Sequence, residues 1–382
     1  MFGSSDIIAI RRARLRFASP SGFTLVELLV SMSVLAILMV LVTQVVGQVQ
    51  KTWLASNTRV SQFREARTAF DLVTHNLAQA SLNPYWDTDS GGIANGSTTY
   101  AERAKQIPTQ YVRKSDLQFI TGRAADLVQG APNKDAQHLP TSAVFFQATL
   151  GTTQVPDYER MQTLLCGRGY FIQFGDDAAF RPPFVLTGTN RYRLMEYSPT
   201  SEHNTIYYDE WKNLGAKNWF RDAGAAMDRA TEATAAGNST TSIARGYTRP
   251  IAENIVTFVV APRVSTQSAQ ASGKNDPHWI APNYAYDSTQ KDNISTTNPQ
   301  GTQHLLPPLV DVVMIAIDEA SQDNFDTTDL GNLQGLFTAN ASQIDTNISE
   351  AERILVNRPG KKPINFRIFK TTIEIRAARW SL

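Results

Sequence analysis

Gly22-Phe23-Thr24-Leu25-Val26-Glu27 opens an apolar run that reaches Val46, and the reading of this junction decides the fold. From Phe23 to Val46 the only formal charge is Glu27, and no proline occurs between Phe23 and Pro84. A helix over residues 23–46 covers about 36 Å, enough to cross a hydrocarbon core of roughly 30 Å. Arg11, Arg12, Arg14 and Arg16 precede it, against the single acid Asp6. The positive-inside bias therefore keeps residues 1–22 cytoplasmic and exports the chain beyond Val46. A secretory signal peptide would be cut behind small residues after its apolar region, and Thr43-Gln44-Val45-Val46-Gly47-Gln48 offers no such site. A plain signal anchor accounts for the arginines and the apolar run but not for Glu27. An acid at the centre of a membrane helix costs about 2.5–3.5 kcal/mol, less near an end, so this carboxylate calls for a partner.

The basic leader, Gly22, Phe23, the apolar residues and Glu27 together resemble the start of the prepilin family. The resemblance implies a membrane-embedded prepilin peptidase that cuts on the cytoplasmic side after Gly22 and methylates the new amino-terminal Phe23. Glu27 is then the fifth residue of the mature chain. Cleavage creates a cationic amine at Phe23, and Glu27 of an adjacent subunit neutralises it. Both charges leave water in a filament core, so the pair sets register between helices more than it adds net stability. Gly22 suits a protease because a backbone without a side chain can be approached closely.

Beyond the bilayer, Val42, Val46, Val49, Trp53, Val60, Phe63, Phe70 and Leu77 recur at helical intervals, with Ala66 and Val73 on the same side. The spacing predicts an amphipathic continuation of the membrane helix over residues 47–83, ended by Asn83-Pro84. Its apolar stripe reads as a docking face for the protein's own sheet, and Arg59, Arg64, Arg67 and Gln79 as the solvated side. After residue 85 come short strand-like runs: Leu117–Ile120, Ala143–Leu150, Gly169–Phe174, Phe184–Leu186, Tyr192–Tyr197, Ile255–Val264, Leu309–Asp318 and Ile364–Ile375. Val312 to Ile317 is nearly all apolar and reads as a central strand.

The fold class is therefore α+β: a long N-terminal helix, membrane-spanning in its first half, packed on an antiparallel β-sheet domain with long loop insertions. Residues 1–22 form the leader, 23–46 the transmembrane helix, 47–83 its continuation and 84–382 a periplasmic globular domain. The insertions lie near 200–248, with Tyr207, Tyr208, Trp211, Trp219 and an alanine-rich stretch from Ala223 to Ala236 that reads as a short helix, and near 265–306, with Trp279, Tyr284 and Tyr286. Loops this long are functional or disordered as a rule, and their aromatic residues favour ordered packing.

The chain has 382 residues, 42% hydrophobic and 19% charged, with a net charge of +1 and one cysteine, Cys166. The balanced charge gives no nucleic-acid footprint. A lone cysteine excludes an intramolecular disulfide and reads as a small buried hydrophobe. His75, His138, His203, His278 and His304 are scattered, and no HExxH, GxSxG, P-loop or CxxC pattern occurs. The expectation is a protein that is not an enzyme. Asp318, Glu319, Asp323, Asp326 and Asp329 form an acidic stretch read as a solvated inter-strand loop. Asp318, Asp323, Asp326 and Asp329 are its calcium candidates, without EF-hand spacing.

RLMEYS (Arg193–Ser198), RPIAENIVTFVV (Arg249–Val260) and LPPLVDVVMIAID (Leu306–Asp318) are similar in order to large minor pilins and J-type minor pseudopilins of type II secretion systems. INFRIFKTTIEIRAARW (Ile364–Trp380) also resembles the prepilin-like Verru/Chthon cassette protein C. Major pilins commonly carry a proline in the membrane helix, where this chain has Gln44, and a C-terminal disulfide loop, which it cannot form. Tip pseudopilins of the K type usually lack the acid that Glu27 supplies. The resemblance implies a minor subunit, cut by prepilin peptidase, anchored by one span in the bacterial inner membrane and built with other pilin-like subunits at or near the tip of a periplasmic or surface filament. The alternatives are an adhesive pilin that binds through its long loops, and a signal-anchored exported enzyme or receptor.

Overall fold

A computed structural model describes residues 23–89, 110–131, 133–161, 163–178, 181–182, 184–204, 206, 219–220, 223–224, 247–291 and 300–379. The apolar run forms the first half of helix α1, Leu25–Leu77. The chain divides into two compact units, one ending at Thr58 and the other beginning at Arg59. In the first unit α1 is apolar from Leu25 to Leu54, with a mean hydropathy of 2.7 and no buried residue, long enough to cross a membrane.

In the second unit the predicted stripe is a docking face. Ala66, Ala69, Phe70, Val73 and Leu77 are buried, while Arg64 and Arg67 stay in water. The helix stops short of Asn83-Pro84. Its last turn tightens, Ala80 N–H donating to the Leu77 carbonyl at 3.1 Å and Ser81 N–H to the Gln147 carbonyl at 2.8 Å, so that Ala80 bridges Ala148. Backbone pairing with a strand, rather than proline, ends α1.

Two strands, β1 (Tyr85–Asp89) and β2 (Gln110–Lys114), form a separate ribbon. The strand that meets the end of α1 belongs to a six-stranded antiparallel sheet. Its members are β3 (Ile120–Arg123), β4 (Ser142–Thr149), β5 (Leu165–Gly175), β6 (Arg191–Tyr197), β7 (Thr248–Glu253) and β9 (Tyr286–Asp287), in the order β7-β6-β5-β4-β3-β9. A short helix, α2 (Ala124–Leu127), lies between β3 and β4. In a three-stranded antiparallel sheet, β10 (Leu309–Ile317) runs between β8 (Ile255–Arg263) and β11 (Phe366–Glu374) and is buried along its length as a central strand should be. Asn254, at φ 59°, carries the chain from β7 in one sheet to β8 in the other; asparagine tolerates this left-handed conformation.

One core joins α1, β8, β10 and the inner face of the large sheet, including Phe146, Tyr170, Ile172 and Leu194. A second core covers the outer face, where Phe145, Phe171, Met195 and Tyr197 meet Trp219 and Phe220. Phe220 stacks on Phe145 at 4.1 Å between ring centres. Gly169, paired opposite Phe145, leaves room for that ring, because an added Cβ would fall 2.2 Å from it. Trp219 and Phe220 thus tie the 200–248 insertion to the sheet, while Tyr207, Tyr208, Trp211 and nearly all of the alanine-rich stretch lie outside the described residues. The 265–306 segment carries helix α3 (Thr266–Ala271) and β9, and it buries Trp279, Tyr284 and Tyr286.

Three expectations need correction. Phe184–Leu186 is not a strand: it follows Pro182-Pro183, which cannot serve a ladder, and Phe184 and Leu186 are exposed. The acidic stretch is not a solvated inter-strand loop but the start of a helical excursion between β10 and β11. It comprises α4 (Glu319–Gln322), α5 (Thr327–Leu336) and α6 (Ile344–Val356). The ribbon strands β1 and β2 and the proline-bearing β7 were not among the expected strands; their polar or proline-broken patterns lack the alternation of a half-buried strand.

Candidate functional site

Phe23 and Thr24 precede the first turn of α1, and Gly22 lies outside the described residues. Thr24 occupies the cap position. Its hydroxyl accepts from the Glu27 N–H at 3.2 Å, and Glu27 Oε2 accepts from the Thr24 N–H at 3.1 Å and the Thr24 hydroxyl at 3.0 Å. This reciprocal pair is a capping box, which satisfies donors that helix geometry leaves open in the first turn. The signal for it was present in the sequence, since Thr24-Leu25-Val26-Glu27 has the required S/T-x-x-E spacing. Among the described residues Glu27 Oε1 takes no hydrogen bond, and the carboxylate sits beside the residue that would bear the new amine. Around it Leu25, Val26, Leu28 and Leu29 are all exposed.

A model of the prokaryotic N-terminal methylation motif matches residues 19–43. The chain is a type IV prepilin-like protein. Compared with curated proteins and with solved structures, it matches none. The motif implies processing by prepilin peptidase and assembly with other pilin subunits, and together with the apolar helix it is consistent with a membrane-anchored pilin.

In the globular unit the prepilin-like protein fastens α1 through buried polar groups. Asn76 donates to the Tyr170 hydroxyl at 2.8 Å, and that hydroxyl donates to Glu196 Oε1 at 2.9 Å. Burial and the Glu196 charge push the Tyr170 pKa up, keeping it a donor. Arg249 donates to Glu196 Oε2 at 3.0 and 3.2 Å, and Arg168 lies 3.9 Å from Oε1. At the other end of this helical segment Gln62 exchanges hydrogen bonds with Glu319 at 3.1 Å each way.

The acidic candidates serve separate tasks. Asp318 is buried; it caps α4 by accepting from Ser321 N–H at 2.9 Å and also accepts from Asn365 at 3.1 Å. Asp326 caps α5 and pairs with Lys361, which holds its carboxyl below the ordinary aspartate range. Asp329 completes that capping box and pairs with the buried Arg358. Asp323 is exposed at the end of α4. Among the described residues no three His, Cys, Asp or Glu side chains gather as metal ligands.

Proposed function

We propose that this prepilin-like protein is a minor structural subunit, incorporated at or near the tip of a type II secretion or type IV pilus-like filament. The carrying observation is the bare apolar helix with a single carboxylate in its first turn. Side chains of this kind are covered first by lipid and then by the helices of neighbouring subunits. In this reading residues 1–22 face the cytoplasm and the unit beginning at Arg59 faces the periplasm. Glu27, held by Thr24 through one oxygen, offers the other to the Phe23 amine of a neighbour. The size of the globular unit and the lone cysteine favour a minor subunit over a major repeating one.

Glu27→Ala should leave export and the cut after Gly22 intact and abolish recovery of the protein in filaments that copurify with other prepilin-like subunits. Full incorporation of the variant would contradict the proposal. One observation favours an adhesive reading as well. Trp86 and Tyr111 stand 69% and 73% exposed on the β1–β2 ribbon, an aromatic surface suited to ligand contact.

A further inference from the structure

A sheet edge presents backbone N–H and C=O groups in a row that only another extended chain can pair in full, and natural edges are blunted by proline, bulges, shortness or charge. Among the described residues the two larger sheets have four edges, and three are blunted. β7 carries Pro250 and a register break at Leu194 and Met195, and β9 has only two residues. Along β8, Pro262 has no N–H, and Phe258 N–H donates to Thr141 Oγ1 at 3.1 Å. Just past that strand Val264 N–H donates to the Pro277 carbonyl at 2.9 Å. The fourth edge, β11, runs for nine residues without proline, and its register with β10 is unbroken.

The phase of that ladder tells which backbone groups of β11 are free. At its two ends Asp318 N–H donates to the Asn365 carbonyl at 3.0 Å and Ile375 N–H to the Pro308 carbonyl at 3.1 Å. These pairs continue the register in which Ile317 faces Phe366 and Leu309 faces Glu374, so the odd-numbered residues of β11 turn their backbone to β10. Hydrogen-bonded and non-bonded pairs alternate in an antiparallel ladder. Phe366, Ile368, Lys370, Thr372 and Glu374 therefore turn N–H and C=O outward over about 27 Å, and among the described residues no backbone partner meets them. Lys370, the charge that would guard the middle of the edge, is engaged by Asp345 of α6. Side chains on both faces are already supported: Phe369 lies against Phe70 at 5.7 Å, Ile373 is buried, and Phe366 and Ile368 pack on the core.

We propose that β11 takes up an extended, acidic segment of another protein as the fourth strand of its sheet. Main-chain hydrogen bonds to the outward groups supply the affinity, and charge supplies the choice of partner. Arg367, Arg376 and Arg379 are exposed, and among the described residues none of them pairs with a carboxylate, while Glu374 is the one acid between residues 366 and 379. This basic excess fits an acidic strand. A second copy fits it poorly: paired over the whole strand about its midpoint, it would set Lys370 opposite Lys370 and add the same arginines. All the residues involved belong to the unit that begins at Arg59.

Hydrogen exchange of the full chain in detergent, resolved to single amides, tests this with two synthetic probes, a peptide of alternating valine and glutamate and its counterpart of alternating valine and lysine. Without peptide the amides of Ile368, Lys370 and Thr372 should exchange fast and those of Phe369 and Thr371 slowly. The glutamate peptide, at about ten times its Kd, should slow the three outward amides by about tenfold, and the lysine peptide at the same concentration should leave them fast. Arg367→Glu combined with Arg376→Glu should reverse that preference, with the protected amides of β10 reporting that the variant stays folded. Outward amides that stay fast with the glutamate peptide at millimolar concentration, equal slowing by both peptides, or an unchanged preference in the folded variant would overturn the proposal. So would slowing of the same amides with rising protein concentration and no peptide, which assigns the edge to a second copy.

Discussion

Glu196→Gln tests how the long helix is fastened to the sheet. Glutamine keeps an acceptor for the Tyr170 hydroxyl, so the bond from Asn76 survives and the change is one of charge. The Arg249 side chain is 61% exposed and regains water, which limits its share to below about 1 kcal/mol. Arg168 has no such recourse: its side chain is 8% exposed and, among the described residues, its Nε makes no hydrogen bond. Removing one partner of a buried pair costs about 3–5 kcal/mol, and the lower end applies because Arg168 still donates to Thr152 Oγ1 at 2.8 Å and the Gly167 carbonyl at 2.9 Å. Urea unfolding of the full chain in detergent, monitored by tryptophan fluorescence, should show Glu196→Gln destabilised by about 3 kcal/mol and Arg249→Ala by no more than about 1 kcal/mol. Equal losses in the two variants would refute the claim that a buried counter-ion beneath α1 carries this energy.

Thr24→Val removes the cap of α1. It should cost about 1 kcal/mol locally, read in micelles as roughly fivefold faster exchange of the Glu27 amide that the Thr24 hydroxyl holds; unchanged protection there would argue against the capping box. Stability against acid depends on Asp311. Burial pushes its carboxyl pKa up, but hydrogen bonds from His278 and Thr372 and the ion pair with Arg263 outweigh burial and hold it below the ordinary aspartate value. A depressed folded-state pKa gives stability that is full above about pH 4, the unfolded value, and is lost as pH falls through the folded one. Asp311→Asn should flatten the acid limb of a stability–pH curve, and an equally steep limb in the variant would rule out this carboxylate as its source.

The parts of this molecule that were legible in its sequence are those where burial imposes a period. The stripe Ala66, Phe70, Val73, Leu77 shows at helical spacing and docks as that spacing implies, and Val312 to Ile317 of β10 shows as a continuous apolar run because both faces are covered. Where local polar chemistry governs, the charge pattern misleads. Asp318 and Asp326 look like members of a solvated cluster, yet each begins a helix by capping its backbone. Phe184 to Leu186 has the composition of a strand but comes after two prolines and ends in water. At the amino terminus Glu27 was legible as a lone membrane carboxylate. Its local partner Thr24 was legible too, through the capping spacing, and was obscured by the stronger signal of the processing motif.

The most direct test is the identity of the mature amino terminus. Mass spectrometry and terminal sequencing of the membrane-extracted protein should find a chain that begins at Phe23 and carries a methyl group on its amine. An intact Met1 terminus, or a cut beyond the apolar run, would contradict processing as a prepilin and with it the account of Glu27.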